Sequence, residues 1–580
     1  MFIGMDITQF FKKFSIPQQR LYEAMRAVYV DNLTEDEVLA RFGLSRRYFQ
    51  QATADVAKKL ELGETPFFVV NKPGPKGQRI GEDAREIIVS LRKKNNSIED
   101  IKGHLDAKGV GISLKTIHRT LQAEGFARLP KRTRQERTGR EGVIDKPPVC
   151  TTIKIRDEEF VTTMATPGLI FLPLINELGI VPAMEGSGFP GTTEISNTSY
   201  LLSLLALKLA GGKRWSHDEN WCFDRGLGLF AGLNVLPKNS SLSSYSYRVT
   251  REMNYKLLTR LAKIFSAPDL EQGDFNLDFK AIPHWGDDSV LSRHWCGARS
   301  KAMKSILSLI VQDPNSGFIS YTDAEIQKSE ENDCVLEFVD FWKESRGEVP
   351  QMLVFDSKFT TYENLSKLNK DDIKFITLRR RGKSLVGRSE KIPEDQWQYI
   401  KVEGEKRRHR RLRVLDEKIS LRGYEGQVRQ VIITENGREN PAFLVLNDFD
   451  LPVERVVRRY ARRWLVEKEI SEHINFFHLN NPSSSIVIKV DFDLTLTLLA
   501  HNLYRLLARR LPGFESCEAP SLSRKFLETI AKVKIDGKTA TVLLKKKTHM
   551  PILFGADFMQ KENYIPWIGL NIKFAIDTVS

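Results

Sequence analysis

Residues 350–359, PQMLVFDSKF, decide how the chain is read. Leu353, Val354 and Phe355 form a short apolar run of the kind that fills a buried strand, and it runs straight into Asp356. A carboxylate at that place is costly unless it is paired or holds a metal. On either side, further strands and helices alternate. FNLDFKAIP (275–283), KSILSLIVQD (304–313) and GFISYTDAEI (317–326) read as three strands. Glu337–Trp342 sits in a helix, TTYENLSKLN (360–369) is helical and IKFITLRRRG (373–382) is another strand. The order β-β-β-α-β-α-β describes an α/β layer with a mixed sheet.

Beyond this layer, QYIKVEG, RRLRVLDEKISL, GQVRQVIITENG and AFLVLNDF are short strands rich in basic residues, so a β-rich insertion is expected at 386–450. Helices resume at 451–512. The C-terminal region, 513–580, contains a hairpin signal at Asp536-Gly537. Residues 151–272 read as a mainly helical, apolar domain, and 273–385 and 451–512 as the two parts of the α/β domain.

The front of the chain is all-α. In residues 1–70, Thr34 and Glu37 form a capping box, Gly43 supplies a turn and Ser45 caps a second helix carrying Arg46, Arg47, Tyr48 and Gln50. This is the pattern of a helix-turn-helix, and Arg46 and Arg47 suit phosphate and base contacts. A Pro/Gly/basic linker follows at 71–80. Residues 81–128 repeat the pattern: Ser97 and Ser113 cap successive helices, the last of which carries Lys115, His118 and Arg119. A second basic linker, 129–150, closes at Pro147-Pro148. Two such modules predict a bipartite reader of duplex DNA. A plain helical hairpin is the bland alternative for each.

Composition agrees. Lys and Arg number 88 against 74 Asp and Glu, for a formal charge of +14, which favours a polyanionic partner. The apolar run at Leu201–Ala210 is short and carries Lys208, so a membrane span is disfavoured, and a membrane surface is disfavoured because the basic residues lie in domains rather than on one amphipathic helix. Five scattered cysteines without a C-x-x-C pair indicate neither a zinc knuckle nor a disulfide framework and suit a reducing interior.

Asp278 lies within a strand, Asp356 ends one and Glu467 lies on a helix. Asp287 and Asp288, in a Gly-Asp-Asp turn, compete with Asp278, and Glu469 and Glu472 share the helix of Glu467. Those two glutamates fall off the face that Glu467 shares with Tyr460 and Arg463, which lie seven and four residues earlier. Arg379, Arg380 and Arg381 follow a strand as candidate phosphate contacts; a solvated face is the alternative. Trp397 is an aromatic that packing claims before base stacking. His473 and His478 lack a third soft ligand for zinc.

The segments FNLDFKAIPHWGDDS, PQMLVFDSKFTTYENL and YARRWLVEKE resemble the catalytic segments of bacterial insertion-sequence DDE transposases, and more narrowly those of the insertion-sequence-four-like group. That group's Y-x2-R-x3-E-x6-K signature is matched by Tyr460, Arg463 and Glu467. Its Lys position falls on Ile474, a departure that removes one expected DNA contact, with His473 or Lys468 as neighbouring substitutes. The resemblance covers about residues 150–510. It implies an RNase H-like catalytic domain interrupted by a β-rich insertion, with Asp278, Asp356 and Glu467 holding two Mg²⁺ (or Mn²⁺) ions and Tyr460 and Arg463 beside the phosphate. Further implications are cleavage at transposon terminal inverted repeats, strand transfer to target DNA, and a homodimer or larger assembly on DNA. A cytoplasmic, nucleoid-associated place in a bacterial cell is expected. An inactive transposase-derived DNA-binding protein and a structure-specific nuclease remain the alternatives.

Overall fold

The computed structural model describes residues 17–63, 67, 81–93, 96–127, 129, 148–211, 220–265, 273–283, 292–296, 301–326, 330–359, 361–403, 409–435, 440–463, 476–477 and 487–577. Both linkers fall almost wholly outside them, as do Asp287, Asp288, Glu467, Lys468, Glu469, Glu472, His473, Ile474 and His478. The chain divides into two compact units, Met1–Pro130 and Lys131–Ser580.

The first unit is helical. Helices α1 (Pro17–Tyr29), α2 (Glu35–Phe42) and α3 (Arg46–Glu61) close on Ala24, Met25, Val38, Phe42 and Phe49. The capping box at α2 is formed: the Thr34 hydroxyl accepts from the Glu37 amide while the Glu37 carboxylate accepts from the Thr34 amide. Gly43, at φ +59°, ends α2 in the left-handed region that glycine adopts at least cost. Ser45 then accepts from the Tyr48 amide at 3.3 Å and starts α3. Helices α4 (Glu82–Lys93), α5 (Ile98–Ala107) and α6 (Leu114–Ala123) bury Ile88, Ile101, Leu105, Ile117 and Leu121. Ser97 and Ser113 cap α5 and α6 as the sequence predicts.

In the second unit, strand β1 (Glu158–Thr162) precedes the apolar helices α7 (Thr166–Glu177) and α8 (Asn197–Leu209) and the amphipathic α9 (Arg251–Ile264). Next come β2 (Asp274–Pro283), β3 (Arg293–Cys296), β4 (Lys301–Gln312), β5 (Ile319–Ile326), α10 (Cys334–Arg346), β6 (Met352–Phe355), α11 (Tyr362–Lys370) and β7 (Lys374–Leu378). This is the order expected from sequence, with β3 added. The short α12 (Lys383–Glu390) leads into β8 (Gln398–Glu403), β9 (His409–Ser420), β10 (Gln427–Thr434) and β11 (Ala442–Leu446), followed by α13 (Val453–Ala461) and α14 (Val487–Arg509). The chain ends in β12 (Ala531–Asp536), β13 (Thr539–Lys545), β14 (Asn563–Ile565) and β15 (Leu570–Asp577).

Strands β2 to β11 form one mixed sheet in the order β3-β4-β2-β6-β7-β11-β10-β9-β8, with β5 pairing β4. Strands β2, β6 and β7 are parallel, and β11 to β8 extend the sheet by successive antiparallel steps. The strands of the expected insertion therefore continue the main sheet, joined through Leu378↔Leu444 and Ile376↔Leu446. A second sheet, β1-β12-β13-β15-β14, ties residues 158–162 to the C-terminal region.

On one face of the main sheet, Val354, Ile376, Val414, Val431 and Leu444 pack with Val456 and Val457 of α13. The other face, including Phe275, Leu353, Phe355 and Phe375, joins the large core with α7–α10 and α14. Between α9, β5 and α14 lies a polar knot: Arg251 donates to Asp491 at 2.8 Å and to Asp323 at 2.7 Å, and Asn254 donates to Asp491 at 2.7 Å. Buried charges of this kind hold only when each has its partner.

Candidate active site

Parallel pairing of β2 with β6 matches Leu277 to Phe355, so the next rung sets Asp278, midway along β2, beside Asp356 at the carboxyl end of β6. Adjacent strands are about 4.8 Å apart, so residues far apart in sequence become immediate neighbours. Alternation puts both side chains on the face covered by α13. In open α/β sheets the carboxyl ends of the strands are the usual place for ligand chemistry.

Helix α13 and the turn that follows it are fastened to β2 by a ladder along that face. Arg459 pairs with Asp274, the Arg462 carbonyl accepts from Asn276 at 3.2 Å, and Arg463 Nη1 lies 3.2 Å from Asp278 Oδ2. Arg463 is nearly buried, and its guanidinium supplies a cation to the carboxylate pair. The carboxylates also take backbone donors: the Phe279 amide reaches Asp278 at 2.9 Å and the Ser357 amide reaches Asp356 at 2.6 Å. Tyr460 stands beside them. Burial pushes its phenol up to about 12, the carboxylates of Asp356 and Asp278 push the same way, and Arg463 opposes them.

A cleft of about 410 Å³ opens over Asp356, lined by Ser357, Arg379, Arg380, Arg381, Asn440 and Arg463 among others. Arg379 is fixed by donating to Gln430 at 2.9 Å, while Arg380 and Arg381 are exposed. Asp278, Asp356, Tyr460, Arg463, Arg379 and Arg380, named from sequence, thus gather around the carboxyl ends of β6 and β7. Glu467 lies outside the described residues, four positions beyond Arg463. Among the described residues no group of three or more His, Cys, Asp or Glu forms a metal-binding cluster. The donor chemistry fits a hard divalent cation nonetheless: two neighbouring carboxylates draw in the nearest cation, here a guanidinium.

Sequence reasoning missed the Arg459–Asp274 anchor and Asn440. The first had a signal, since Arg459 is four residues before Arg463 in a segment whose sequence reads as one helix, although the helix itself ends at Ala461. Asn440 had none. Trp397 is buried with Leu415, Ile432 and Phe443, and the Arg413 guanidinium lies 4.5 Å from its ring centroid.

In the first unit, Arg46, Arg47, Gln50 and Gln51 share one face of α3 around a shallow depression of about 540 Å³. Arg46 pairs with Asp36, and Gln50 donates to Glu35 at 3.1 Å. On α6, Lys115, His118 and Arg119 fall on one stripe by helical spacing, with Lys115 and Arg119 exposed.

Residues 292–503 match a family model described as "Transposase DDE domain". The matched stretch includes Asp356, Tyr460, Arg463 and Glu467 and begins after Asp278. No curated protein matches the chain. Among solved structures, a cryo-EM structure of a piggyBac transposase synaptic complex with hairpin DNA is similar over 60% of this chain and 78% of that one, at 11% identity and a TM-score of 0.34. The family match supports a DDE transposase. Among the described residues, no helix is long and apolar enough to cross a membrane.

Proposed function

We propose that this protein is a DNA transposase of the insertion-sequence-four-like kind, which binds the terminal inverted repeats of a mobile element and cleaves and transfers DNA strands. The observation that carries the reading is the β2–β6 register, which sets Asp278 beside Asp356 under an arginine-lined cleft. The β5-β4-β2-β6-β7 order, with three antiparallel strands followed by two parallel to β2, supports an RNase H-like core.

Asp278, Asp356 and Glu467 are the residues proposed to hold two Mg²⁺ ions. When bound, such ions supply charge stabilisation to phosphoryl oxygens and promote ionisation of the attacking hydroxyl. The chain's own residues do the positioning. Arg379, Arg380 and Arg381 grip the phosphates next to the scissile one, and Asn440 donates to the same backbone. Arg463 neutralises Asp278 until the site is loaded, and Tyr460 packs beside both carboxylates and keeps bulk water from them. The α2–α3 and α5–α6 pairs act as helix-turn-helix readers, with Arg46, Arg47, Lys115, His118 and Arg119 toward DNA. Two ends must be held together for joining, so the active form is a dimer or larger assembly on DNA.

The test is cleavage of supercoiled plasmid carrying the DNA that flanks the coding sequence, with Mg²⁺, by wild type and by Asp356→Ala. Expected are metal-dependent cleavage by wild type, its loss in the variant, and end binding retained by both. Tight binding without cleavage by wild type would favour the inactive DNA-binding alternative. Cleavage without any joining of the freed 3′-OH would favour a nuclease.

A further inference from the structure

The extension of the sheet aims a second group of cations at the same end as the carboxylates. Strands β6 and β7 finish there. Because β11, β10, β9 and β8 alternate in direction, the end also receives the start of β9 and the finish of β8. Lys401 of β8 stands directly opposite Arg411 of β9, and both are exposed. Like charges facing each other across a ladder destabilise it. Among the described residues neither has a carboxylate within ion-pair distance, whereas their neighbour Arg413 is held by Glu394. Arg411 instead lies 4.0 Å from the ring centroid of Tyr399, which is 46% exposed on the outermost strand. A fold that keeps two facing cations and an exposed aromatic at a sheet edge is built for something that supplies negative charge there.

We propose that Arg380, Arg381, Arg411 and Lys401 form a rail for the phosphate backbone of duplex DNA, starting at the cleft over Asp356 and ending at Tyr399 on the edge strand. Five strand steps separate β6 from β8. At about 4.8 Å per step the rail spans roughly 24 Å, or about seven base pairs at about 3.4 Å each. Its two ends suit one ligand: a duplex with one phosphate in the cleft lays its flanking phosphates along the sheet end. The inference rests on the transposase reading and names where that enzyme holds the DNA beside the cut.

The experiment compares full-length wild type with the Lys401→Ala/Arg411→Ala double variant. The probe is a labelled duplex of about 30 base pairs taken from the DNA flanking the coding sequence, and binding is followed from about 50 to about 200 mM salt. Losing two phosphate contacts lowers the slope of log Kobs against log salt by about 1.8. The fall in affinity across that range then becomes about twelvefold smaller in the variant. Without DNA, the variant's urea midpoint stays equal or rises, because the facing cations are gone, whereas a merely structural role would lower it. An unchanged slope while wild type still cuts the plasmid overturns the rail and leaves the transposase reading standing. An unchanged slope with an altered sedimentation coefficient overturns it in favour of a second copy of the chain at the β8 edge. A wild type that neither binds nor cuts DNA overturns both.

Discussion

Replacing Arg463 with Ala removes the cation that balances two adjacent carboxylates. Its guanidinium sits 3.2 Å from Asp278, with side-chain exposures of 8% and 16%. At an effective dielectric of about 20 the gross attraction is about 5 kcal/mol, much of it offset by the cost of desolvating both groups. Removing one partner of such a pair costs about 3–5 kcal/mol; the residual exposure of Asp278 puts the loss at about 3 kcal/mol. The loss should depend on metal. Without Arg463, Mg²⁺ meets no competing cation at the carboxylates, and a ligand at about 100 times its Kd adds about 2.7 kcal/mol. Urea unfolding of wild type, Arg463→Ala and Arg463→Ala/Asp278→Asn, each in EDTA and in excess Mg²⁺, separates these effects. The single variant's deficit in EDTA should exceed that in Mg²⁺ by about 1 kcal/mol or more, because wild type gains less from the ion. In EDTA the double variant should recover about 2 kcal/mol, since a neutral side-chain amide in place of the carboxylate no longer needs a cation. Equal deficits in the two buffers, together with no recovery in the double variant, would refute the assignment of Arg463 as the stand-in cation.

Asp356→Asn should abolish Mg²⁺-dependent plasmid cleavage, by about a hundredfold or more in rate, while end binding measured by gel shift changes less than about threefold. Gly43→Ala forces a side chain into the left-handed region at φ +59° although nothing crowds the added Cβ within 4 Å, so the cost of about 1 kcal/mol is purely conformational and is read from the unfolding of the first unit. His501 is fully buried against the Gly317 carbonyl at 3.1 Å; burial lowers its pKa to about 3, with Arg505 lowering it further and the Gly317 bond opposing. The unfolded chain therefore binds a proton below about pH 6.5 that the folded chain refuses until about pH 3, and stability drops by about 1.4 kcal/mol per pH unit across that window. His501→Gln should remove that increment from the slope of urea midpoint against pH, and an identical slope in both proteins would rule His501 out as its source.

What sequence makes legible here is local. Thr34, Ser45, Ser97 and Ser113 announce helix starts because capping involves only neighbours three residues on, and all four are formed. Asp356 can be singled out because Leu-Val-Phe before it demands burial. Pairing is different. Nothing within β2 or β6 states that Leu277 will face Phe355, so the union of Asp278 and Asp356 is reached through family resemblance and not through periodicity. The strands from 398 to 446 are each readable by alternation, yet their attachment to the main sheet depends on Leu378 meeting Leu444, which neither segment encodes alone. The same holds for β1, whose partner β12 lies at the far end of the chain. Trp397 is ambiguous for a related reason: an aromatic next to basic strands reads alike whether it faces solvent or Leu415 and Phe443.

The direction of the strands turns this pairing into an electrostatic arrangement. At the carboxylate end of the sheet stand Arg379, Arg380, Arg381, Lys401 and Arg411, with Glu435 as an acidic neighbour among the described side chains. The opposite end collects Asp371, Asp372, Glu425, Asp448 and Asp450 from its turns, and there Lys374 meets Asp372 and Lys370 meets Glu425. A polyanion approaching the sheet is thus drawn to one end and repelled, or met by already neutralised charge, at the other. Asp278 and Asp356 would spoil that attraction if they stood alone, and Arg463 prevents it by pairing with Asp278 at the bottom of the cleft. On the proposed reading the same residue would serve two roles: its charge would let DNA approach an acidic site, and its pairing would hold Asp278 ready as a ligand for a divalent ion.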